Sequence, residues 1–224
     1  MSLKVTVGVC GGVAAYRAVE LVRALQEAGL DPHVVMTAGA EEFVTALTFA
    51  AISGHRVITS LWSGGEVPLA ADGGKANSSV EHIQEAQTTS AMVIVPATAN
   101  VIGKLAHGIA DDFLTTMYLA TKQPVVVAPA MNVVMWQHAA VRANVKVLKE
   151  RGVVFVEPGA GYLACGMEGA GRLASLPEIV RAVVEVTAPT PQDLEGEVVL
   201  VTAGGTREAL DLSLIHISEP TRPY

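Results

Sequence analysis

Aromatic side chains are scarce in this chain, at 4% of 224 residues, so its core must be filled mainly by small aliphatic groups. With Ala, Val and Gly abundant, that favours parallel strands buried on both faces by close-packed helices over an antiparallel sandwich. Charged residues are also few, 17% against 50% hydrophobic, and the mean hydropathy is +0.41, which excludes general disorder. Lys and Arg form no run, and the net charge is −7, so there is no phosphate-tracking stripe and nucleic acid is not an expected partner. No stretch reaches the roughly 18 consecutive apolar residues of a membrane span, and no basic leader precedes the first strand, so no membrane partner is expected and the expected compartment is the cytoplasm. The two cysteines, Cys10 and Cys165, lie far apart and offer no disulfide framework, which leaves at least one thiol free for chemistry. No metal ligand is assigned.

What is present is a regular alternation. Leu3 to Val9 reads as a strand ending in Cys10-Gly11-Gly12, and Val13 to Ala28 as a helix stopped by Gly29. Val34 to Met36 is a second strand, Glu41 to Ile52 a helix, and Val57 to Trp62 a strand or extended segment. The polar, glycine-rich stretch Ser63 to Ser79 reads as loop. A helix at Val80 to Gln87, a strand at Ala91 to Val95, helix over most of Asn100 to Thr121 and a strand at Val125 to Ala128 follow. A helix near Val141 to Arg151, a strand at Val153 to Val156, a glycine-rich loop from Pro158 to Gly171 and a helix near Pro177 to Val186 complete the pattern. The pattern predicts an open parallel sheet with helices on both faces, whose ligand lies beyond the carboxyl ends of the strands.

Four loops after strand ends carry unusual residues. Gly11-Gly12 before a helix suits a phosphate, because glycines allow close backbone approach and the helix start supplies oriented N–H groups; the alternative is a tight turn and nothing more. The loop does not match G-x-G-x-x-G. The acidic residue that a dinucleotide site wants about 20 positions on is replaced by Met36-Thr37, so a mononucleotide fits better. In Pro96-Ala97-Thr98-Ala99-Asn100, small residues leave room for a flat ring, although Thr98 also reads as a simple N-cap. Pro129-Ala130-Met131-Asn132 with Met135-Trp136 repeats the arrangement one strand later, or Met and Trp are merely core. His82, at a helix start, is placed to reach a ligand and titrate near neutrality, although surface histidines are common. Cys165 sits in Ala164-Cys165-Gly166-Met167-Glu168-Gly169-Ala170-Gly171-Arg172, a segment suited to a flap.

Taken in order, GGVAAYRA, VEHI, PATAN, PAMNVVMW and ACGMEGAGRL closely resemble the decarboxylase half of the bifunctional bacterial coenzyme A biosynthesis flavoproteins, in which phosphopantothenoylcysteine decarboxylase is fused to phosphopantothenate–cysteine ligase. The resemblance implies a flavodoxin-like (Rossmann-like) homo-oligomeric flavoprotein built from trimers, with a dodecamer as an assembly of the full-length protein, and FMN held between neighbouring subunits. It assigns the phosphate turn to Gly11, Gly12 and Val13, flavin contacts to Thr37, Thr98, Ala99, Asn100 and Val101, and a place beside the ring to Ala130. His82 matches the active-site histidine, Asn132 the substrate-binding asparagine and Cys165 the proton-donating cysteine on the flap; Met135, Ala164 and Gly166 are assigned to the substrate. Cys10 receives no catalytic role.

The implied reaction is decarboxylation of 4'-phospho-N-pantothenoylcysteine to 4'-phosphopantetheine. The cysteine nitrogen of that substrate is already an amide and cannot form a Schiff base, so FMN serves as the electron sink. Thiol oxidation places C=S beta to the carboxylate, carbon dioxide leaves to give an enethiol, and the returned hydride with a proton from Cys165 completes a cycle without net redox. The resemblance makes residues 1–186 the decarboxylase domain, 187–196 a linker and 197–211 the start of a ligase too short to be active. Residues 212–224, LSLIHISEPTRPY, read as a non-native tail. The rival readings are a flavin-dependent peptidyl-cysteine decarboxylase, a flavin prenyltransferase and an inactive flavin-binding regulatory subunit.

Overall fold

A computed structural model of the chain describes residues 2–62, 81–162 and 168–188. Five strands, β1 (Lys4–Val9), β2 (Asp31–Met36), β3 (Ala91–Ala97), β4 (Val125–Pro129) and β5 (Val154–Phe155), form one parallel sheet in the order β2-β1-β3-β4-β5. This is the flavodoxin-like order, in which the chain reverses direction of travel across the sheet between β1 and β3. β3 and β4 are buried along their whole length, as strands covered on both faces must be.

Alternate residues of each strand feed two separate apolar layers. Val5, Val7 and Val9 face α1 (Ala15–Glu27), α3 (Ala46–Ser53) and α9 (Leu176–Thr187), together with Leu21, Leu25, Phe49 and Ile179. Met92, Ile94 and Val127 face α4 (Glu81–Thr88), α5 (Ala99–His107), α6 (Phe113–Ala120) and α8 (Ala139–Glu150), with Ile102, Phe113, Leu114 and Leu148. Gly8 lets α6 lie directly on β1, since a Cβ at that position would overlap the Leu114 side chain. The one polar group buried in β1, Thr6, is satisfied by Thr89, whose Oγ1 lies 3.1 Å from both Thr6 N and Thr6 Oγ1 and is 2.7 Å from the Ala91 carbonyl oxygen.

Several elements depart from the sequence pattern for local reasons. β2 starts at Asp31, three residues before the expected Val34, because an edge strand tolerates Pro32. The expected helix 41–52 is split into α2 (Ala38–Glu41) and α3, with Thr45 in extended conformation as the new N-cap. The expected helix 100–121 is likewise two helices: Gly108 ends α5 in the left-handed region, and Asp112 restarts α6 by accepting from Thr115 N at 2.8 Å in a capping box. A short α7 (Val133–Gln137) precedes α8.

The segment expected as a glycine-rich loop from Pro158 to Gly171 is instead an antiparallel pair, β6 (Gly159–Tyr162) with β7 (Glu168–Arg172). Its backbone pairing needs no side chains, so composition concealed it. Residues 1–188 form one unit; Thr187, expected to open the linker 187–196, is the last residue of α9, and the rest of that linker from residue 189, the ligase-like start and the tail lie outside the described residues.

Candidate functional site

A cleft of about 1330 Å³ opens at the carboxyl ends of the strands, where the order reverses between β1 and β3. Its walls are the loops that follow β1, β2, β3 and β4, closed on one side by Gly159-Ala160 and by Gly171 to Ser175. Gly11, Gly12, Val13, Thr37, Thr98, Ala99, Asn100, Val101 and Ala130 all line it, as do Asn132 and Met135.

Each wall has a physical reason for its shape. A Cβ on Gly11 would lie 2.5 Å from the Gly39 carbonyl oxygen, so the loops after β1 and β2 approach as closely as they do only because position 11 is glycine. No side chain caps α1 and its first turn holds no acid, so the positive end of its dipole is uncompensated at the cleft, although Ala15 N and Arg17 N already donate to the Gly12 and Ala14 carbonyls at 2.8 and 3.0 Å. Thr37 is buried and its N–H donates to the Val9 carbonyl at 3.0 Å, fixing the end of β2 beside that turn. Thr98 does cap α5, its Oγ1 accepting from Val101 N at 3.3 Å, and it lines the cleft as well, so the two readings of that residue coexist.

The loop after β4 is held from two sides. Ala130 N donates to the Ala97 carbonyl at 3.1 Å and Met131 N to the Gly171 carbonyl at 3.0 Å. Asn132 then caps α7, its Oδ1 accepting from Val134 N at 2.8 Å. Met135 stays 48% exposed at the cleft, whereas Trp136 is core, with the Arg142 guanidinium 5.0 Å from its ring centroid.

Sequence reasoning did not single out Arg17, Gly39 or Arg172, although all three line the cleft. Arg17 pairs with Glu20 at 3.1 Å, and Arg172 enters no ion pair among the described residues. Glu178, the acid at the cleft, is committed to the Ser175 hydroxyl and amide at 2.6 and 3.0 Å, and those bonds hold its carboxyl below the usual range. Arg172 stands within the quoted GAGRL motif, and Gly39 three residues past the end of β2, so position relative to strand ends was the available signal.

Of the expected catalytic groups, one is described away from this cleft and another lies outside the described residues. His82 lies in the first turn of α4, half-buried and edge-on to Phe113 at 6.3 Å between centroids, and is not among the residues lining the cleft of its own chain. Cys165, with Ala164 and Gly166, lies outside the described residues. Cys10 is fully buried, and desolvation pushes its thiol up to about 12 despite a hydrogen bond from the Thr98 backbone, so it stays a neutral core group.

A flavodoxin-like sheet with a nucleotide-sized cleft at its switch point defines a mononucleotide-binding α/β domain. The chain belongs to the Flavoprotein family, whose model matches residues 1–188. It is 47% identical over 205 residues to the coenzyme A biosynthesis bifunctional protein CoaBC of Bacillus subtilis, covering 91% of this chain and 48% of that protein. The corresponding protein of Haemophilus influenzae is 40% identical over 207 residues, covering 92% and 49%. The chain thus spans about half the length of the relatives it matches. Among solved structures, a PPC decarboxylase mutant complexed with pantothenoylaminoethenethiol is similar with a TM-score of 0.70 and 27% identity, covering 82% of this chain and 97% of that one. The FMN-dependent cysteine decarboxylase SpaF is similar with a TM-score of 0.67 and 33% identity, covering 83% and 98%.

Proposed function

We propose that the chain binds FMN in this cleft and decarboxylates 4'-phospho-N-pantothenoylcysteine to 4'-phosphopantetheine, a step of coenzyme A biosynthesis. The observation that carries the reading is the convergence of the glycine turn at Gly11, the Thr98 loop and the Asn132 loop on one cleft. The residues present fit a flavin mononucleotide: an uncapped helix start and a glycine cradle for a phosphate, and small side chains at Ala99 and Ala130 for a flat ring. FMN, when bound, supplies a two-electron sink that the acylated substrate nitrogen denies to an imine-forming cofactor, and it ends the cycle in its starting state.

The chain's own groups hold the substrate and handle protons. Asn132 Oδ1 accepts from Val134 N in the α7 cap, which holds this side chain at the cleft, where it meets the substrate's carboxylate and amide end. Arg172 places a positive charge beside that end, and Met135 offers apolar contact. Cys165 donates the proton that completes product formation, a task for which a thiol is far more acidic than a hydroxyl.

His82 serves the earlier, carbon-dioxide-releasing half, and in our reading it reaches the cleft of a neighbouring copy. Its absence from its own cleft supports this, as does the exposure of Val13, Tyr16 and Val134 (60%, 56% and 61%) near the cleft, which gives a second copy apolar surface to cover. The homo-oligomer built from trimers that the motif resemblance implies would supply such a neighbour. Among the described residues no helix is long and apolar enough to cross a membrane, which accords with a cytoplasmic enzyme.

The test is a spectrum followed by an assay. The purified protein is expected to be yellow, to release FMN on acid treatment, and to convert phosphopantothenoylcysteine to phosphopantetheine with release of carbon dioxide. A colourless protein that FMN does not reconstitute overturns the cofactor assignment. Turnover of a peptide ending in cysteine, with none of phosphopantothenoylcysteine, transfers the substrate assignment to the peptidyl-cysteine decarboxylases.

A further inference from the structure

At the end of the sheet opposite the cleft, three metal-ligating side chains converge. Asp31 opens β2 and His33 lies two residues on, so strand alternation puts both on one face. The third comes from another element. Gly54 ends α3 with φ 76°, and the chain then runs parallel along the free edge of β2, pinned by Ile58 N to the Val34 carbonyl at 3.0 Å and Met36 N to the Ile58 carbonyl at 2.8 Å. That path sets His55 over Asp31. Its backbone is fixed locally too, His55 N donating to Ser53 Oγ at 3.1 Å.

The result is a small, ordered constellation. His55 Nε2 lies 2.7 Å from Asp31 Oδ1 and His33 Nε2 lies 3.1 Å from Asp31 Oδ2, so each imidazole takes one oxygen of the same carboxylate. The two rings stack at 3.9 Å between centroids and 19° between planes. One ligand atom from each of the three residues lies within 4.8 Å of the other two. All three side chains keep 25–35% of their surface, so solvent reaches them without any opening of the fold.

We propose that Asp31, His33 and His55 form a binding site for a divalent ion of the zinc class. Bonds of about 2.0–2.2 Å to a tetrahedral ion place ligand atoms roughly 3.3 Å apart. That span lies between the hydrogen-bonded distances here and the 4.8 Å limit of the cluster, so the ligand atoms already stand at the spacing such an ion requires to within about an ångström and a half. Two imidazoles and one carboxylate are a borderline donor set, which selects zinc, cobalt, nickel or copper over magnesium and calcium. Three protein ligands leave a fourth position for water.

Two basic side chains on the adjoining segments have acidic partners. Lys4, opposite Asp31 in the β1–β2 register, pairs with Glu85 at 2.7 Å, and Arg56 pairs with Glu81 at 3.1 Å. Because the site joins the edge strand to the segment after α3, a bound ion adds a tie between two elements already joined by the Ile58 backbone hydrogen bonds and the His55–Asp31 contact. It acts on the stability of the fold, away from the decarboxylation chemistry.

The experiment uses the full chain with its flavin, stripped of metal and dialysed against zinc, with magnesium as the contrasting ion. One zinc per chain is expected to be retained and to raise the thermal midpoint, with magnesium doing neither. His55→Ala, His33→Gln and Asp31→Asn are each expected to weaken zinc binding at least about tenfold, whereas Cys165→Ser leaves it unchanged. Since a variant could lose binding by misfolding, the wild-type protein supplies a second readout: zinc protects His33 and His55 from diethylpyrocarbonate, as located by peptide mass spectrometry. Zinc binding that survives all three substitutions, or zinc that leaves both imidazoles open to the reagent, overturns the proposal.

Discussion

The Met131 amide donates to the Gly171 carbonyl oxygen at 3.0 Å, so the loop that carries Asn132 and the second arm of the β6–β7 pair move as one hydrogen-bonded unit. Position 171 has φ +148°, and a Cβ there would overlap the Met131 carbonyl oxygen. Gly171→Ala therefore forces the loop after β4 away from β7, at a cost of about 1–3 kcal/mol in backbone strain alone. Urea unfolding is expected to show that loss. FMN titration is expected to stay near wild type, because the Gly11 and Thr98 loops are untouched, while turnover falls by more than about tenfold as Asn132 shifts.

Gly11 and Gly12 are adjacent but not equivalent. A Cβ at Gly11 meets the Gly39 backbone at 2.5 Å, and at Gly12 it meets only Thr98 Cγ2 at 3.8 Å. Gly11→Ala is expected to lower stability by about 1–3 kcal/mol and to yield largely flavin-free protein. Gly12→Ala is expected to keep its FMN. The ratio of flavin absorbance to protein absorbance after gel filtration checks both, and equal retention by the two variants contradicts the cradle.

If His82 serves a neighbour's cleft, two inactive variants can repair each other. His82→Asn and Asn132→Ala, each expected to lose nearly all turnover alone, are unfolded together and reassembled in equal amounts. About a quarter of all sites then combine an intact Asn132 with an intact His82 from the adjoining copy, so about a quarter of wild-type activity returns. No recovery on mixing places His82 and Asn132 of one chain in the same site.

Burial raises the Cys10 thiol from 9.0 to about 12, so the folded chain holds a proton that the unfolded chain releases above pH 9.0. The stabilisation is complete below that pH and is lost as pH rises toward the folded value, at about 1.4 kcal/mol per pH unit. Chemical denaturation between pH 9 and pH 11 is expected to show a shallower decline for Cys10→Ala than for wild type, whatever their difference at neutral pH. At pH 8, folded wild-type protein is expected to leave Cys10 unmodified by iodoacetamide.

The strands were legible because a strand covered on both faces must be almost wholly apolar, as Ala91 to Val95 and Val125 to Ala128 are. The cleft loops were legible because they follow those strands and carry motif residues, and every residue proposed to contact the flavin lines the cleft. What stayed hidden depends on other parts of the chain. The β6–β7 pair is written in glycine, whose strand role is set by a partner backbone and the Val133 side chain packed on Gly169. Pro32 passes in β2 only because that strand is an edge, a fact of sheet order that no local window contains. The VEHI motif marks His82 as special, but a motif does not say whose cleft it serves. Gly39 is defined by its distance to Gly11, 28 residues away in the chain, and composition is silent on that.

Gly8 and Leu114 occupy one volume between them, the helix residue filling what the strand residue gives up. Neither position is then free to vary alone. A side chain gained at 8 has to be answered by one shortened at 114, so Gly8→Ala with Leu114→Ala restores the fit that Gly8→Ala alone destroys. Among homologous sequences the two columns should change together, and this gives a record, written across related genes, of how tightly α6 is seated on the strand that leads into the flavin turn.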